Sequence, residues 1–461
     1  MTMRTGISLS VSGKHPGQAH REAQGQAARV IVIGRWDGGT GPAQVRPPED
    51  RVARPVRITL DTLDEQLEAL TPVVPTAIGP VSVRGIDSLH PDELAQRVPL
   101  LQQLMTLRRQ LRDPAQFEAA ACVVSAWQGA PAAPSSSAQA VPAAQVQAGA
   151  ATDIERLLGR PASAPQPAAG GAEMDRWVAD MIRPHLAPQP PAHGEALIGL
   201  VNQALCAALT ALLHDPRWQA AESLWRGVDW LLRQVGDDQL AHLSLIDLSW
   251  AELSGDLLAG RVPDSLRVAL QVRADDDESP VLTHVLIHDQ IQLDPLGIAA
   301  LGALAQPLGQ IGAQLVACPA LGQFFDRGGV LQAETQAAWD ECRQSAGDAL
   351  AMVAPRFVMR QPYGPGSDPL SWLDYAEPTV SAGGDAILWG NAGWLALSDE
   401  LVYGLGTVAD LPHVLSQDPD GGGSKLITTE WALNQALADM LSQFGVLPVI
   451  GHASRPMVRL G

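Results

Sequence analysis

A glycine-rich loop follows the first strongly apolar stretch of the chain, and loops of this kind can hold phosphate groups. Residues 31–41 read IVIGRWDGGTG, a β-branched run that ends in small and polar residues. Backbone N–H groups in such a loop can donate to a nucleotide phosphate. The segment lacks both the GK[ST] ending of a P-loop and the GxGxxG spacing of a dinucleotide fold. We therefore expect a strand and a turn here, without a nucleotide.

A second glycine-rich segment combines acidic residues in the manner of a calcium loop. Residues 418–430 read DPDGGGSKLITTE. Counted from Asp418, the acidic Glu430 comes one position late for a twelve-residue calcium loop, and Pro419 occupies a position that normally continues the loop. The pattern predicts a surface turn that precedes a helix beginning near Glu430.

Two histidines four residues apart have the spacing of a metal-binding pair. His284 and His288 lie in residues 281–293, VLTHVLIHDQIQL, which are typical of a buried strand. On a strand the adjacent Asp289 points to the opposite face, and the sequence offers no third ligand. We expect two histidines packed on a sheet face.

Other residue types do not assemble a reactive site. The sequence has no GxSxG nucleophile elbow, and the acidic run at residues 275–278 is typical of a solvated loop. The tryptophans are predicted to be core anchors, because no basic groove accompanies them for base stacking. Those considered are Trp177, Trp218, Trp225, Trp230, Trp389 and Trp394. The sequence thus predicts no catalytic, cofactor-binding or metal-binding residue, no cofactor, and a protein that is not an enzyme.

The charge balance excludes whole classes of partner. The 461 residues include 50 acidic and 31 basic side chains, which give a formal charge of −19. Nucleic acids and anionic membranes both attract clustered lysine and arginine, so neither is expected as a partner. Most of the basic residues are arginine, which suits fixed ion pairs in a protein assembly.

Cysteine usage and hydropathy predict the compartment. The four cysteines form no CxxC pattern, and we expect them to be reduced and buried: Cys122, Cys206, Cys318 and Cys342. The first thirty residues lack the apolar core of a signal peptide. We expect no apolar run as long as the roughly 18 residues of a membrane helix. The prediction is a cytoplasmic protein that does not insert into a membrane.

The first part of the chain shows a mixed strand and helix pattern. Residues 28–39 and 54–60 are predicted strands, and residues 61–70 are predicted to be helical. Residues 81–113 predict a strand that leads into a helix at His90-Pro91, since proline suits the first helical position. Pro99 is expected to kink or divide this helix.

Composition divides the chain into two parts. We predict a leader at residues 1–27, a smaller domain at 28–129, an Ala/Pro-rich linker at 130–172 and a larger domain at 173–461. The larger domain begins with predicted helices at 173–186 and 195–235. Strands at 242–249, 281–293 and 313–318 follow, with a helix at 295–312 between the last two. This order predicts a mixed α/β fold in which the small N-terminal part packs on the larger C-terminal part.

Three segments of the second part resemble the large sheath subunit of type VI secretion systems (TssC/VipB-like). Residues 211–234, ALLHDPRWQAAESLWRGVDWLLRQ, are similar to the family's His-Pro and Glu-Ser-x-Trp-Arg-Gly segment, with Asp215 inserted between the histidine and the proline. Residues 354–369, APRFVMRQPYGPGSDP, resemble its Pro-Arg-Phe and Pro-Tyr-Gly segment. Residues 386–397, AILWGNAGWLAL, resemble its Trp-x-Asn-Ala helix, and residues 429–452 its late helix and strand.

The first part resembles the small sheath subunit (TssB/VipA-like). RVIVIGRWDGG stands where that family has a Leu-Gly-Asp-Phe-Ser-Gly strand and turn, and Arg35-Trp36-Asp37 depart from it. The segments RPVRITLDTLDEQLEAL and IDSLHPDELAQRVPLLQQLMTLRRQL follow the family's order. The two resemblances together imply small and large sheath subunits fused in one chain.

The resemblance implies a structural protein rather than an enzyme. Its expected role is a sheath component, or an accessory or end-cap unit built on the sheath fold, whose partners are other sheath subunits and tube or baseplate proteins. Relative to the family, the chain is expected to be truncated at its C-terminus, since it ends soon after residues 446–450. The alternative is a scaffold or binding module that has the sheath fold and does not polymerise.

Overall fold

The computed structural model describes residues 28–39, 45–52, 54–129, 194–236, 240–271, 282–379, 386–404, 406–417 and 424–461. The strands are β1 (Ala28–Gly34), β2 (Val56–Ile58), β3 (Val73–Thr76), β4 (Gly79–Ser82), β5 (Leu240–Asp247), β6 (Leu282–Ile291), β7 (Ala313–Pro319), β8 (Leu350–Ala354), β9 (Phe357–Val358), β10 (Trp389–Gly390), β11 (Thr407–Val408), β12 (Val414–Gln417), β13 (Ser424–Ile427), β14 (Val446–Gly451) and β15 (Val458–Leu460).

Helices occur in both the N-terminal and the C-terminal part of the chain. They are α1 (Leu63–Leu70), α2 (Pro91–Arg97), α3 (Pro99–Gln110), α4 (Phe117–Gly129), α5 (Gly194–Leu213), α6 (Pro216–Val235), α7 (Trp250–Leu258), α8 (Asp264–Gln271), α9 (Pro295–Gln310), α10 (Gly322–Asp326), α11 (Ala333–Ala346), α12 (Gly393–Ser398) and α13 (Gln435–Phe444). A π-helical turn, Asp399–Tyr403, continues α12. The predicted mixed α/β class is confirmed.

One nine-stranded sheet organises the molecule. Its order is β11-β15-β14-β8-β7-β6-β1-β5-β2. The six strands from β14 to β5 run parallel, whereas β2, β15 and β11 are antiparallel to their neighbours. Helices that follow parallel strands pack back onto the sheet, which buries both of its faces.

Strand β1 is a central strand although it comes from the N-terminal part. Val30 pairs with Leu243 on one side and His284 on the other, and the pairing continues along the strand. The sequence ARVIVIG suits this position, because parallel strands covered on both faces are continuous β-branched and aliphatic runs. The N-terminal part therefore completes the sheet of the C-terminal part, and the two share one hydrophobic core.

Two prolines set the N-terminal helices as expected. His90 caps α2 through its Nδ1, which accepts from the Asp92 N–H, and Pro91 is the first helical residue. Pro99 begins α3, so the predicted helix is divided into two. The apolar face of both helices is buried, as the spacing indicates: Leu94, Val98, Leu101, Leu104 and Leu111.

Helix α5 corrects the expectation about membrane-length apolar runs. It has 20 residues and is apolar enough to cross a membrane by length and composition. Its buried face, which includes Val201, Leu205 and Leu209, packs in the common core. The expectation was wrong because the mean hydropathy of the whole helix stays high although Asn202 and Gln203 lie within it.

Several local predictions were also wrong. Residues 73–76 and 79–82 form a hairpin that the pattern did not predict, and Trp389–Gly390 is a short strand rather than the start of a helix. The late helix begins at Gln435, capped by Asn434, and not near Glu430. Of the cysteines, Cys318 and Cys342 are buried, but Cys206 is partly buried and Cys122 is exposed.

Some predictions fall outside the described residues. They concern the leader, the linker at residues 130–172, the helix at 173–186, Trp177, the acidic run at 275–278 and residues 418–423. The domain boundaries stay predictions.

Candidate functional site

Helix α6 is the element on which the distinctive segments of the chain converge. It begins at Pro216, and the side chain of Asp215 caps it by accepting from the N–H groups of Arg217 and Trp218. The second carboxylate oxygen of Asp215 accepts from the Ala77 N–H at 2.9 Å. The residue inserted before the proline is therefore the helix cap, and it also ties α6 to the N-terminal hairpin.

A buried charge network lies on one side of α6. Oε1 of the fully buried Glu222 accepts from Nε of Arg226 and from Nε of Arg360, each at 2.8 Å. Arg360 also donates through Nη1 and Nη2 to Glu377, at 2.6 and 3.0 Å. Two carboxylates and two guanidinium groups thus form an electrically balanced set, the arrangement in which charge is tolerated in a protein interior.

The network fixes the protonation of its members. Burial opposes the charge of Glu377, but His214 and Arg360 lower the pKa of Glu377 to about 2. Burial likewise opposes the charge of Arg360, whereas Glu222 raises its pKa above the usual value. Arg360 and Glu377 are consequently charged at neutral pH.

Tyr363, from the Pro-Tyr-Gly segment, closes the network. Its backbone N–H donates to Glu377 at 2.9 Å, and its hydroxyl accepts from Nη2 of Arg226 at 2.9 Å. The Arg360 guanidinium lies over the ring at 4.2 Å from its centroid, a cation–π contact. Burial raises the pKa of Tyr363 to about 12. The ring of His90, from the N-terminal part, meets the ring of Tyr363 edge-on at 5.1 Å.

An adjacent face of α6 contacts the third segment, residues 386–397. Gly227 lets the indole of Trp394 approach the helix backbone, and Oγ of Ser223 donates to the Trp389 carbonyl at 2.8 Å. Trp225 is fully buried, and its indole N–H donates to the Trp36 carbonyl at 3.4 Å. The Trp-Arg-Gly segment thus makes contacts with three separate parts of the chain.

Asn391 joins this segment to the sheet. Its Nδ2 donates to the carbonyls of Ile287 and His288, at 3.0 and 2.8 Å, and its Oδ1 accepts from the Gly393 N–H at 2.7 Å. A side-chain amide that satisfies three backbone groups of two elements fixes their relative position. Asn391 therefore holds the Trp-x-Asn-Ala segment against β6.

Residues 35–39, the described part of the loop after β1, make contacts within the protein. Arg35 donates to Asp37 at 2.8 Å and to Glu252 at 3.3 Å, and the Trp36 N–H donates to Asp247. A side chain on Gly38 would lie 1.8 Å from the Arg217 carbonyl oxygen, so the loop packs directly on α6. The residues that depart from the small-subunit pattern are ones that bind this loop to the C-terminal part.

A second charge cluster continues from this loop. Arg46 donates to Asp247 and, at 2.9 Å, to Oε1 of Glu252. Burial opposes the charge of Glu252, but the hydrogen bonds of Arg46 and the Ser249 amide lower its pKa to about 2. The cluster joins the segment after β1 to α7, the helix that follows β5.

The two histidines of β6 have different neighbours. His284 Nδ1 is 3.9 Å from Oε2 of Glu400, and the His288 ring packs near Trp394 at 6.1 Å. Asp289, on the other face, accepts from the Trp250 N–H at 2.7 Å. Within the described ranges, no group of three His, Cys, Asp or Glu side chains is placed to hold a metal ion.

The calcium-like segment is described only from Ser424. Ser424–Ile427 forms β13, and Glu430 makes a bidentate pair with Arg356 at 2.8 and 2.9 Å. Of the tryptophans, Trp218, Trp225 and Trp394 are fully buried, as predicted, whereas Trp230 and Trp389 are partly buried.

Sequence reasoning missed the partners that complete the charge network. Arg360 and Glu377 were not singled out, although Arg360 lies two residues before the Pro-Tyr-Gly segment and Glu377 lies 13 residues after it. The available signal was a lone arginine and a lone glutamate in apolar surroundings, since such residues are buried only in pairs. Taken together, the geometry is suited to holding remote segments in one rigid arrangement.

Comparison with known proteins identifies relatives of the C-terminal part. Residues 195–267 and 314–458 match the VipB family, described as EvpB/VC_A0108, tail sheath N-terminal domain. The type VI secretion system sheath protein TssC1 of Pseudomonas aeruginosa is 22% identical over 291 residues, which cover 56% of this chain and 58% of the relative. The chain thus spans less than two thirds of the length of this relative.

These matches support the resemblance of the C-terminal part to large sheath subunits. The matched ranges contain α6 and the Arg360–Glu377 segment, so the four ion-paired residues of the charge network lie within them. They also contain Asn391, whereas its partners on β6 lie outside them. The N-terminal part lies outside the ranges that match the family, and its small-subunit resemblance stays a prediction.

Proposed function

We propose that this chain is a structural component of a bacterial type VI contractile sheath, in which small-subunit-like and large-subunit-like parts are fused. The observation that carries the proposal is the position of β1. Strand β1 from the N-terminal part lies between β5 and β6, inside a sheet in which seven of the nine strands come from the C-terminal part and the remaining one, β2, is an edge strand. A partner that supplies a central strand is a permanent partner, because its removal would expose the backbone of two buried neighbours.

The chemistry of the junction supports a structural rather than a catalytic role. Glu222, Arg226, Arg360 and Glu377 are held in mutual ion pairs, and Tyr363 is hydrogen-bonded at both its amide and its hydroxyl. General acid–base catalysis needs a group whose protonation changes near the working pH, and the pKa values of Tyr363 and Glu377 lie far from it. We therefore propose a role without catalysis for this protein.

The edges of the sheet support an accessory or end position. Among the described residues, the outermost strands are β2, with three residues, and β11, with two. Short edge strands present few unpaired N–H and C=O groups to a neighbouring chain. We therefore place this protein at an end of the sheath or beside it, in contact with other sheath subunits and with tube or baseplate proteins, in the cytoplasm.

The decisive experiment is affinity capture from cells in which the secretion system is assembled. We expect sheath, tube or baseplate proteins to co-purify with the tagged protein and to be absent from a strain whose system is deleted. Electron microscopy of the purified protein alone should show monomers or small oligomers. Long hollow tubes would contradict the accessory position and favour a place in the sheath body. Recovery without any of these proteins would favour the rival function, a binding module that does not polymerise.

A further inference from the structure

A crevice of about 710 Å³ opens beside the carboxyl end of β6. It lies between α6, α7 and the first turn of α9, and it is separate from the charge network described above. Its volume is within the usual range for ligand sites. The carboxyl ends of parallel strands are also where open α/β sheets form their ligand crevices.

One residue that lines the crevice is a buried carboxylate with an oxygen that accepts no hydrogen bond from the described residues. Asp289 is 7% exposed, and its Oδ2 accepts from the Trp250 N–H. Its Oδ1 is buried, and no donor for this oxygen is present in the part of the chain that the structure describes. Burial raises the pKa of Asp289 to about 7, and the Trp250 N–H and the charge of Arg35 offset only part of this effect.

The other charged side chains that line the crevice already have hydrogen-bond or ion-pair partners. Asp294 caps α9 by accepting from the Leu296 and Gly297 N–H groups. Arg356 is held in the bidentate pair with Glu430. Since Arg356 faces its own carboxylate, Asp289 is the group that remains for a ligand, and a cationic ligand would favour its ionised form.

The mouth of the crevice is apolar. Leu296 is 67% exposed, Leu258 is 47% exposed and Val45 is 45% exposed, and all three line the opening. Three large aliphatic side chains around one cavity form a surface from which a ligand can displace water. A ligand that fits must therefore combine apolar groups with one cation.

We propose that this crevice binds a peptide segment of a partner protein, with a lysine or arginine side chain against Oδ1 of Asp289 and neighbouring apolar side chains against Leu258 and Leu296. The volume admits several side chains, more than a lone ammonium or guanidinium group would fill. The proposal does not depend on where the chain lies in a sheath.

The test is fluorescence anisotropy of the intact protein with a labelled, capped peptide of sequence Ala-Leu-Arg-Leu-Ala. We expect saturable binding, and at least tenfold weaker binding of the same peptide with glutamine in place of arginine. Asp289→Asn should weaken the arginine peptide at least tenfold and leave the glutamine peptide nearly unchanged.

Surface variants keep the test independent of folding. Leu296→Gln should weaken binding at least threefold, whereas Ile311→Gln should not change it. Ile311 follows the other end of α9, is 63% exposed and does not line the crevice, which makes it a matched control. Circular dichroism and melting establish that each variant is folded.

Three results would overturn the proposal. They are equal binding of the arginine and glutamine peptides, unchanged binding by folded Leu296→Gln, and absence of saturable binding at millimolar peptide. Butylguanidinium binding as tightly as the peptide would also overturn it, because the site would then recognise a small cation and not a peptide.

Discussion

A Cβ atom placed on Gly227 would lie 2.4 Å from Cε2 and Nε1 of Trp394. Helix α6 can hold the indole at this distance only because residue 227 has no side chain. Since Trp394 is fully buried and its neighbours are packed, the ring has no free space to enter. The contact joins two segments that the sequence places more than 150 residues apart.

Gly227→Ala should therefore destabilise the protein although alanine is the better helix former. We expect a loss of about 1–3 kcal/mol, the usual cost of overpacking. Gly199→Ala on α5 is the matched control, because a Cβ there meets nothing within 4 Å and should stabilise by up to about 1 kcal/mol. Urea denaturation measures both. Equal effects of the two substitutions would show that the indole does not press on the helix.

Removing one member of the buried charge network should be costly. Arg360→Met leaves Glu222 and Glu377 with fewer donors in a dry environment, and we expect a loss of about 3–5 kcal/mol. Arg233→Met is the control, since Arg233 pairs with Asp229 on the exposed face of the same α6 that carries Glu222. It should cost less than about 0.5 kcal/mol. A mild effect of Arg360→Met would mean that the network contributes little to stability.

The buried Glu400 should make stability fall as the pH rises. Burial, with a contribution from Asp399, raises the pKa of Glu400 to about 8, above its ordinary value of 4.5. Between these values the folded protein keeps a proton that the unfolded chain releases, so ionisation favours unfolding. Burial also lowers the pKa of the nearby His284 to about 4, which leaves no cation to offset Glu400.

Glu400→Gln should remove this dependence. Between pH 4.5 and 8, the free energy of unfolding of the variant should rise relative to that of the wild type by about 1.4 kcal/mol for each pH unit. This difference should level off above pH 8. Urea denaturation at pH 5, 6.5 and 8 measures it, with the exposed Glu334→Gln as the control that shows a constant difference. A difference in the free energy of unfolding between Glu400→Gln and the wild type that does not change with pH would contradict the raised pKa of Glu400.

The two parts of the chain should stay together after the connection is cut. A protease site introduced after Ser135, in the predicted linker, would release the N-terminal fragment from its covalent link. Because β1 is hydrogen-bonded to β5 and β6 along both edges, we expect the fragments to elute together in size-exclusion chromatography and to part only in denaturant. Elution as two folded fragments would count against a shared sheet.

Local features of this fold were predictable from the sequence, because their causes are local. Pro91 and Pro99 set the starts of α2 and α3 through the missing N–H of proline, and the β-branched run of β1 could only be a buried strand. The late helix was misplaced, since Asn434 caps it and the acidic Glu430 was read as its start.

Remote pairings could not be predicted from local patterns. Nothing in the composition of β1 says that it lies between β5 and β6, because any parallel neighbour would satisfy its backbone equally well. The bond between Arg360 and Glu222 spans 138 positions, and charge alone does not select that partner from the 50 acidic residues. The crevice around Asp289 likewise exists only once β6, α7 and α9 have met.

The central place of β1 has a consequence for biosynthesis. The strand leaves the ribosome early, but its neighbour β6 lies roughly 250 residues later, so it waits about 10–50 s at ordinary translation rates. During that interval a bare aliphatic strand is exposed to aggregation or to capture by chaperones. In a single polypeptide, β1 and its neighbours are made in a fixed one-to-one ratio. Because they are linked, they meet at a roughly millimolar effective concentration and do not have to find each other by diffusion through the cell.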